Sequence, residues 1–323
     1  MSAVPAAEPR VRVVAVTFSP GAALTAFLDS LARATSAPYD VVLSDNGSTD
    51  GSIEAAEARP EVRVVRNEGN LGYGRAANAG VDATPPAAQE EWILVANPDV
   101  VFEPGSLDEL LAAAERWPRA GAVGPAIRTP EGELYPSARA FPSVGRGIGH
   151  AVFGWWWPAN PWTRAYRNER GTPVEGPVGW LSGSCLLVRR AAFAEVHGFD
   201  PSYFMYFEDL DLGRRLTDAG WASVHVPSAL VTHTGGHATQ RDPVVARQML
   251  AAHHRSAWQY LSRQYAGVRF APLRAVLWLG LKARHALGLL LPRLGGGAQP
   301  TRDLSVLDAA VPSEDAGARI SSR

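Results

Sequence analysis

The chain has 323 residues, 46% of them hydrophobic, enough for one large α/β domain plus appendages. A formal net charge of -1 excludes a global pull toward nucleic acid, and the single cysteine, Cys185, excludes an intrachain disulfide and fits a reducing compartment. The N-terminal MSAVPAAEPR lacks the apolar core of a signal peptide, and no run of about 20 residues is apolar enough to span a bilayer unaided.

Residues 1–10 read as a disordered leader. Arg10–Phe18 is a first strand, and Gly21–Ala34 places Leu24, Phe27, Leu28 and Leu31 at helical spacing. Tyr39–Leu43 is a second strand that runs into Ser44-Asp45-Asn46-Gly47-Ser48-Thr49-Asp50, where Ser48 or Asp50 can cap a helix over Ser52–Arg59. A third strand, Val62–Val65, leads to the glycine-rich stretch Glu68–Arg75 and a small-residue helix, Ala76–Ala83. Trp92–Ala96 is a buried strand, followed by a helix over Gly105–Trp117 and a strand over Ala120–Ile127. This alternation predicts right-handed βαβ units and a mostly parallel sheet. Residues 128–178 break it with Pro, Gly, Arg and a tryptophan cluster, Trp155–Trp162. Val178–Val188 returns as a strand, Arg189–His197 as a short helix, Glu208–Gly220 as a helix after an aromatic loop, and Ala222–His233 as a last strand. A basic helical region spans 241–294, and the tail from 295 to 323 reads as disordered.

The organising stretch is Trp92–Asp99. Pro98 cannot donate to a sheet ladder, so pairing should stop there and leave Asp99 just past the strand's carboxyl end. Ligands bind in that crevice of open α/β sheets, and a carboxylate there can hold a hard cation against a diphosphate. Asn-Pro-Asp also suits a plain turn. Asp45 ends its strand in the same way, fit either to accept an N–H from a base edge or to form an Asx-turn. Gly69–Gly74 resembles a phosphate cradle with Arg75 as a clamp, but it lacks the spacing of the dinucleotide fingerprint and of the P-loop. Glu208, Asp209 and Asp211 either complement a helix dipole or, after the apolar Tyr203–Phe207, provide a general base of raised pKa. His233 is either structural or a ligand, and Cys185 is expected in the core.

Taken together, VVAVTF, VVLSDNGSTDGS, RNEGNLGYGRAANAG, WILVANPDV, GWLSGSCLLVRR, GFDPSYFMYFEDLDLGRRL and ASVHVPSALVTHTGG resemble glycosyltransferase family 2, most of all its bacterial rhamnosyltransferase branch, over residues 11–237. The resemblance implies a GT-A fold, that is, a Rossmann-like α/β domain over 11–240, here with a C-terminal helical appendage. It also implies a nucleoside-diphosphate sugar donor, a divalent metal (Mg2+ or Mn2+) and inversion at the anomeric carbon. Carried over by position, Asp45 binds the base, with Thr17, Asn70, Gly72, Arg75 and Asn97 also on the nucleotide-sugar side. Asp99 and His233 hold the metal, Asp209 is the base, and Trp180, Gly183, Ser184 and Glu208 lie at the acceptor side. The family's Asp-x-Asp stands here as Asn97-Pro98-Asp99, which leaves one carboxylate, a form common in the rhamnosyltransferase branch.

The branch implies dTDP-L-rhamnose as donor. An arginine-rich composition of actinobacterial type extends this to a polyprenyl-diphosphate-linked acceptor such as N-acetylglucosaminyl-diphosphoryl-polyprenol, with a glycan acceptor as the other choice. The alternatives are a same-family transferase using UDP-galactofuranose or another UDP-sugar and a catalytically silent nucleotide-sugar-binding protein. Residues 243–302 hold no Asp or Glu but many arginines among leucines, the pattern of a helix lying on an anionic membrane surface. The expected place is therefore cytoplasmic, peripheral on the inner face of the plasma membrane.

Overall fold

The computed structural model describes residues 10–87, 90–142, 173–235 and 243–294. The expected leader apart from Arg10, the Trp155–Trp162 cluster and the tail from 295 lie outside the described residues.

The chain divides into two compact units. One comprises Met1–Arg139, Val174–Phe204 and Glu208–Gly236, and the other Ala140–Pro173, Met205–Phe207 and His237–Arg323. In the first unit the strands are β1 Val11–Thr17, β2 Tyr39–Asp45, β3 Val62–Arg66, β4 Trp92–Ala96, β5 Val100–Phe102, β6 Ala120–Arg128, β7 Leu134–Tyr135, β8 Ala138–Arg139, β9 Gly176–Val178, β10 Trp180–Leu181, β11 Cys185–Arg189 and β12 Ala222–His233. The helices are α1 Ala22–Ala34, α2 Ser52–Glu57, α3 Tyr73–Asp82, α4 Ser106–Arg116, α5 Arg190–Glu195 and α6 Glu208–Asp218.

The main sheet runs β3-β2-β1-β4-β11-β6-β12-β5. β1, β2, β3 and β4 are parallel, as are β6 and β12, while β11 lies antiparallel between β4 and β6. The pleat sends alternate residues of each strand to opposite faces. Val11, Val13 and Ala15 of β1, with Trp92, Leu94 and Ala96 of β4, pack with the apolar stripes of α1 and α4. Val14, Ile93 and Val95 pack with Ala77 and Val81 of α3, Phe193 of α5 and Leu212 of α6. This is the helix-covered, mostly parallel sheet that the resemblance implies. Burying Phe27, Leu31, Leu94 and their neighbours to 0% exposure contributes about 1.5–3 kcal/mol per large apolar side chain.

The amino ends of the strands are closed by charge. Arg12, 2% exposed, pairs with Glu90 (2.9 Å) and Asp40 (3.4 Å) and donates to the carbonyls of Val81 and Thr84, while Arg190 also meets Glu90. The carboxyl ends are left for polar loops.

Three sequence expectations shift. The strand expected over Val178–Val188 is three short strands, because Ser182-Gly183-Ser184 turns the chain between β10 and β11. The helix expected from Ala76 begins at Tyr73, so Gly74 and Arg75 sit in its first turn. Pairing does stop at Pro98, but it resumes at once as β5, against a different strand, β12.

In the second unit, α7 Pro243–Gln264 is followed by a 3-10 turn, Val268–Phe270, and α8 Ala271–Leu294. The Arg274 guanidinium donates to the carbonyls of Tyr265 and Gly267 and ties the turn to α8. Met205–Phe207 belongs to this unit: Ser256 donates to the Met205 carbonyl (2.8 Å), and the Tyr206 and Phe207 rings stack edge-on against His253. α8 continues two residues past Pro292; a proline so near the end forfeits only one internal hydrogen bond. Among the described residues no helix is long and apolar enough to cross a membrane.

Candidate active site

Parallel pairing of β1, β2 and β4 brings Thr17, Asp45 and Asn97 to one end of the sheet. Antiparallel pairing adds two more elements there. Cys185 opposite Ala96 carries Ser182–Ser184 to that end, and His233 opposite Val100 carries the end of β12.

Asp99 and His233 meet directly, with Asp99 Oδ1 3.0 Å from His233 Nε2 and the Asn97 side-chain amide 3.2 Å from the same nitrogen. The Gly235 N–H donates to Asp99 Oδ2 (3.0 Å). Burial alone would raise the Asp99 pKa; the His233 hydrogen bond and charge and the backbone donors outweigh it and hold the carboxyl below its usual value. Among the described residues no group of three or more His, Cys, Asp or Glu gathers in metal-binding geometry. One carboxylate and one imidazole still fit a hard divalent ion, because such ions take most ligands from water and phosphate and need only one or two protein carboxylates.

Asp45 is 5% exposed and saturated by its own turn. Its carboxylate accepts from the Thr17 hydroxyl (2.8 Å), the Gly47 and Ser48 N–H groups and the Ser48 hydroxyl. The Asx-turn reading thus describes its contacts, and Thr17 is a buried support for it. Asn46 was not singled out in the sequence, yet it accepts from Asn67 and from the Leu71 N–H and donates to the Gly72 carbonyl, fastening the glycine-rich stretch to β2. Asn70 caps that stretch by accepting from the Gly72 N–H (2.9 Å). Gly72 has φ +82°, and a Cβ there would lie 2.0 Å from the Phe204 carbonyl oxygen, so close backbone packing already requires glycine. Arg75 is exposed and has no ionic or hydrogen-bond partner among the described residues.

The three acids of α6 separate by helical geometry. Asp211 pairs with Arg215 one turn on (2.7 Å). Glu208 is 7% exposed, and its Oε2 has no hydrogen-bond partner among the described residues. Burial, and then the neighbouring Asp209 charge, push its pKa up to about 8. Asp209 is also raised by burial, but the N–H groups of Gly183 (2.9 Å) and Leu210 (2.8 Å) and the charge of Arg139 favour its ionised form. The proton of the pair therefore belongs on Glu208 and the negative charge on Asp209. The backbone reaches these acids through Tyr206 and Phe207 at φ 68° and 69°, a region bulky residues rarely adopt.

Trp180 is 8% exposed, packed so closely on α6 that a Cβ at Gly213 would lie 2.7 Å from its own Cβ, and Arg139 stacks 5.3 Å above its ring. Ser184 accepts from the Asn97 N–H (2.9 Å), so the Ser182–Ser184 turn touches both the Asn97 side and the Asp209 side of the site. Cys185 is core, and burial pushes its thiol up to about 12.

Residues 13–196 match the family described as Glycosyl transferase family 2, and residues 164–307 match Glycosyl transferase family group 2. An N-acetylglucosaminyl-diphospho-decaprenol L-rhamnosyltransferase of Mycobacterium tuberculosis is 56% identical over 284 residues, covering 85% of this chain and 91% of its own. Rhamnosyltransferase WbbL of Escherichia coli is 29% identical over 183 residues, 55% of this chain and 64% of its own. Among solved structures, the mannosyltransferase PcManGT from Pyrobaculum calidifontis, in complex with GDP-Man and Mn2+, superposes with a TM-score of 0.51 at 16% identity over 92% of this chain and 78% of its own. GalNAc-T7 with UDP, GalNAc and Mn2+ gives a TM-score of 0.55 at 15% identity over 88% of this chain and 58% of its own. At these identities the structural likeness is one of fold.

Proposed function

The chain belongs to glycosyl transferase family 2, and on that premise we propose that this GT-A glycosyltransferase moves L-rhamnose from dTDP-L-rhamnose to N-acetylglucosaminyl-diphosphoryl-polyprenol, with inversion. The relative at 56% identity, matched over nearly its whole length, supports this sugar and this acceptor.

The observation that carries the chemistry is the asymmetric acid pair. Two N–H donors direct Asp209 and favour its ionised form, beside a buried Glu208 whose pKa is pushed up to about 8. Asp209 takes the proton of the acceptor hydroxyl. The oxygen then attacks the anomeric carbon as the bond to the diphosphate breaks, and the electron pair leaves on the phosphate oxygen. Asp99 and His233 would hold a divalent cation, Mg2+ or Mn2+, which when bound neutralises charge on the diphosphate. Arg75, exposed on the first turn of α3, is the candidate clamp for that anion, and Asp45 with Thr17 and Asn70 frames the nucleoside side. The test is a product assay. The full chain, given dTDP-L-rhamnose and a short-chain N-acetylglucosaminyl-diphosphoryl-prenol, should yield the disaccharide; transfer from UDP-galactofuranose alone would overturn the donor assignment.

The same reading places the enzyme on a membrane surface without spanning it, where a polyprenyl acceptor resides. α8 supports this by exposing Val276 (66%), Trp278 (43%) and Leu279 (59%) in a region without a single acidic residue between 243 and 302. Apolar side chains would enter the headgroup boundary while basic residues meet anionic lipid, each worth about 1 kcal/mol. In vesicle co-sedimentation at low salt the full chain should pellet with anionic but not neutral vesicles. Replacing Val276 and Leu279 together by Glu should weaken binding about tenfold; equal binding by this variant would refute the role of α8.

A further inference from the structure

Tyr73 is the first residue of α3, and the reaction just described gives it no part. Its ring packs edge-on against Phe199, with centroids 6.2 Å apart, and its backbone N–H donates to the Phe204 carbonyl (2.9 Å). Its hydroxyl donates to the carbonyl of Gly183 at 2.5 Å. Gly183 in turn donates its N–H to Asp209 Oδ2 at 2.9 Å. The residue is held between the two side chains so closely that a Cβ on it would lie 3.4 Å from both Asp209 Cβ and Tyr73 Cε1. The next carbonyl, that of Ser184, accepts from the Asn97 N–H at 2.9 Å.

We propose that Tyr73 is a positioning residue for the catalytic base: its hydroxyl pins the Ser182–Ser184 turn so that the Gly183 N–H stays aimed at Asp209. This rests on the reading of Asp209 as the base. The chemistry suits a fixed donor. Burial, with the nearby charges of Glu208 and Asp209, raises the Tyr73 pKa well above its ordinary value, so the phenol keeps its proton and can only donate to a carbonyl. The Gly183 N–H favours the ionised form of Asp209, as does the Leu210 N–H; the titratable and charged groups acting on that carboxyl are Glu208 on its own helix, Tyr73 on α3 and Arg139 on β8. A turn that drifts loosens this bond, raises the Asp209 pKa and leaves less of the base ionised at a given pH.

The test is Tyr73→Phe in the full chain, which keeps the ring and removes only the donor. The kcat for sugar transfer should fall about tenfold, the worth of one neutral hydrogen bond. The acid limb of its pH profile should move to higher pH, and the affinity for dTDP should stay unchanged. A folded Tyr73→Phe enzyme with wild-type kcat and an unmoved acid limb overturns the inference, as does a loss confined to dTDP affinity. Should Tyr73→Phe not fold, amide hydrogen exchange of the wild-type chain decides: the Gly183 N–H should be protected as strongly as the core strands, and fast exchange there overturns the inference equally. Asp209→Asn is measured alongside. Full turnover in Asp209→Asn removes the base and this inference together, whereas an inactive Asp209→Asn beside an unchanged Tyr73→Phe removes the inference alone.

Discussion

Asp209→Asn should lower the kcat of sugar transfer by about 10²–10⁴-fold while leaving folding and donor binding intact. The amide is nearly the same size; its one oxygen can accept from only one of the Gly183 and Leu210 N–H groups, which now donate to different carboxylate oxygens, but the Tyr73–Gly183 and Asn97–Ser184 bonds still hold the turn. What disappears is the ability to take a proton. Glu208 is a poor substitute, because burial, the larger cause of its raised pKa, persists without the Asp209 charge and favours its protonated form. Asp211 is no better, because Arg215 occupies it. Single-turnover kinetics on the purified variant, with dTDP affinity measured in parallel, check the expectation. Near-normal turnover would move the base elsewhere.

The second large effect is expected at Asp99. Asp99→Ala should lower kcat/KM by about 10²–10³-fold, the scale of losing one preorganised electrostatic contact to a departing oxyanion. It should also abolish the dependence of dTDP binding on added Mn2+ or Mg2+. The fold should survive, since Asp99 lies at the mouth of the sheet, where its contacts are His233 and the loop after β12 rather than the core. Calorimetry of dTDP binding with and without metal separates the two parts. Wild-type activity that survives exhaustive chelation would show that Asp99 has no metal to hold.

The fold was legible in this sequence wherever apolar periodicity was clean. β1, β2 and β4 are short runs buried on both faces, and α1 and α4 carry an apolar stripe, so their order followed directly. Asp45, Asp99 and His233 were legible only as polar residues near the ends of buried strands; that Asp45 uses its carboxylate on Thr17 and its own turn, while Asp99 and His233 meet each other, was not. The acids of α6 were not fully separable: one helical turn holds all three, and although Arg215 lies one turn past Asp211, it takes the distant Gly183 N–H to tell Asp209 from Glu208. Val178–Val188 misled because its apolar run hides a turn that the register of β11 against β4 imposes. Tyr73 left no signal in the periodicity, since its role lies in a contact with a residue 110 positions away. Nor did Asn46 and Asn78, whose amides clamp backbone in distant segments.

The most direct test of the central claim, a single displacement at the anomeric carbon with Asp209 as base, is the anomeric configuration of the product by NMR. The full chain is given dTDP-L-rhamnose of defined configuration and the N-acetylglucosaminyl-diphosphoryl-prenol acceptor, and the new linkage is read from its one-bond carbon–proton coupling. Configuration opposite to the donor's, formed by wild type and lost with Asp209→Asn, is the result expected. A linkage that retains the donor's configuration would contradict the account, because one base and one displacement cannot produce it.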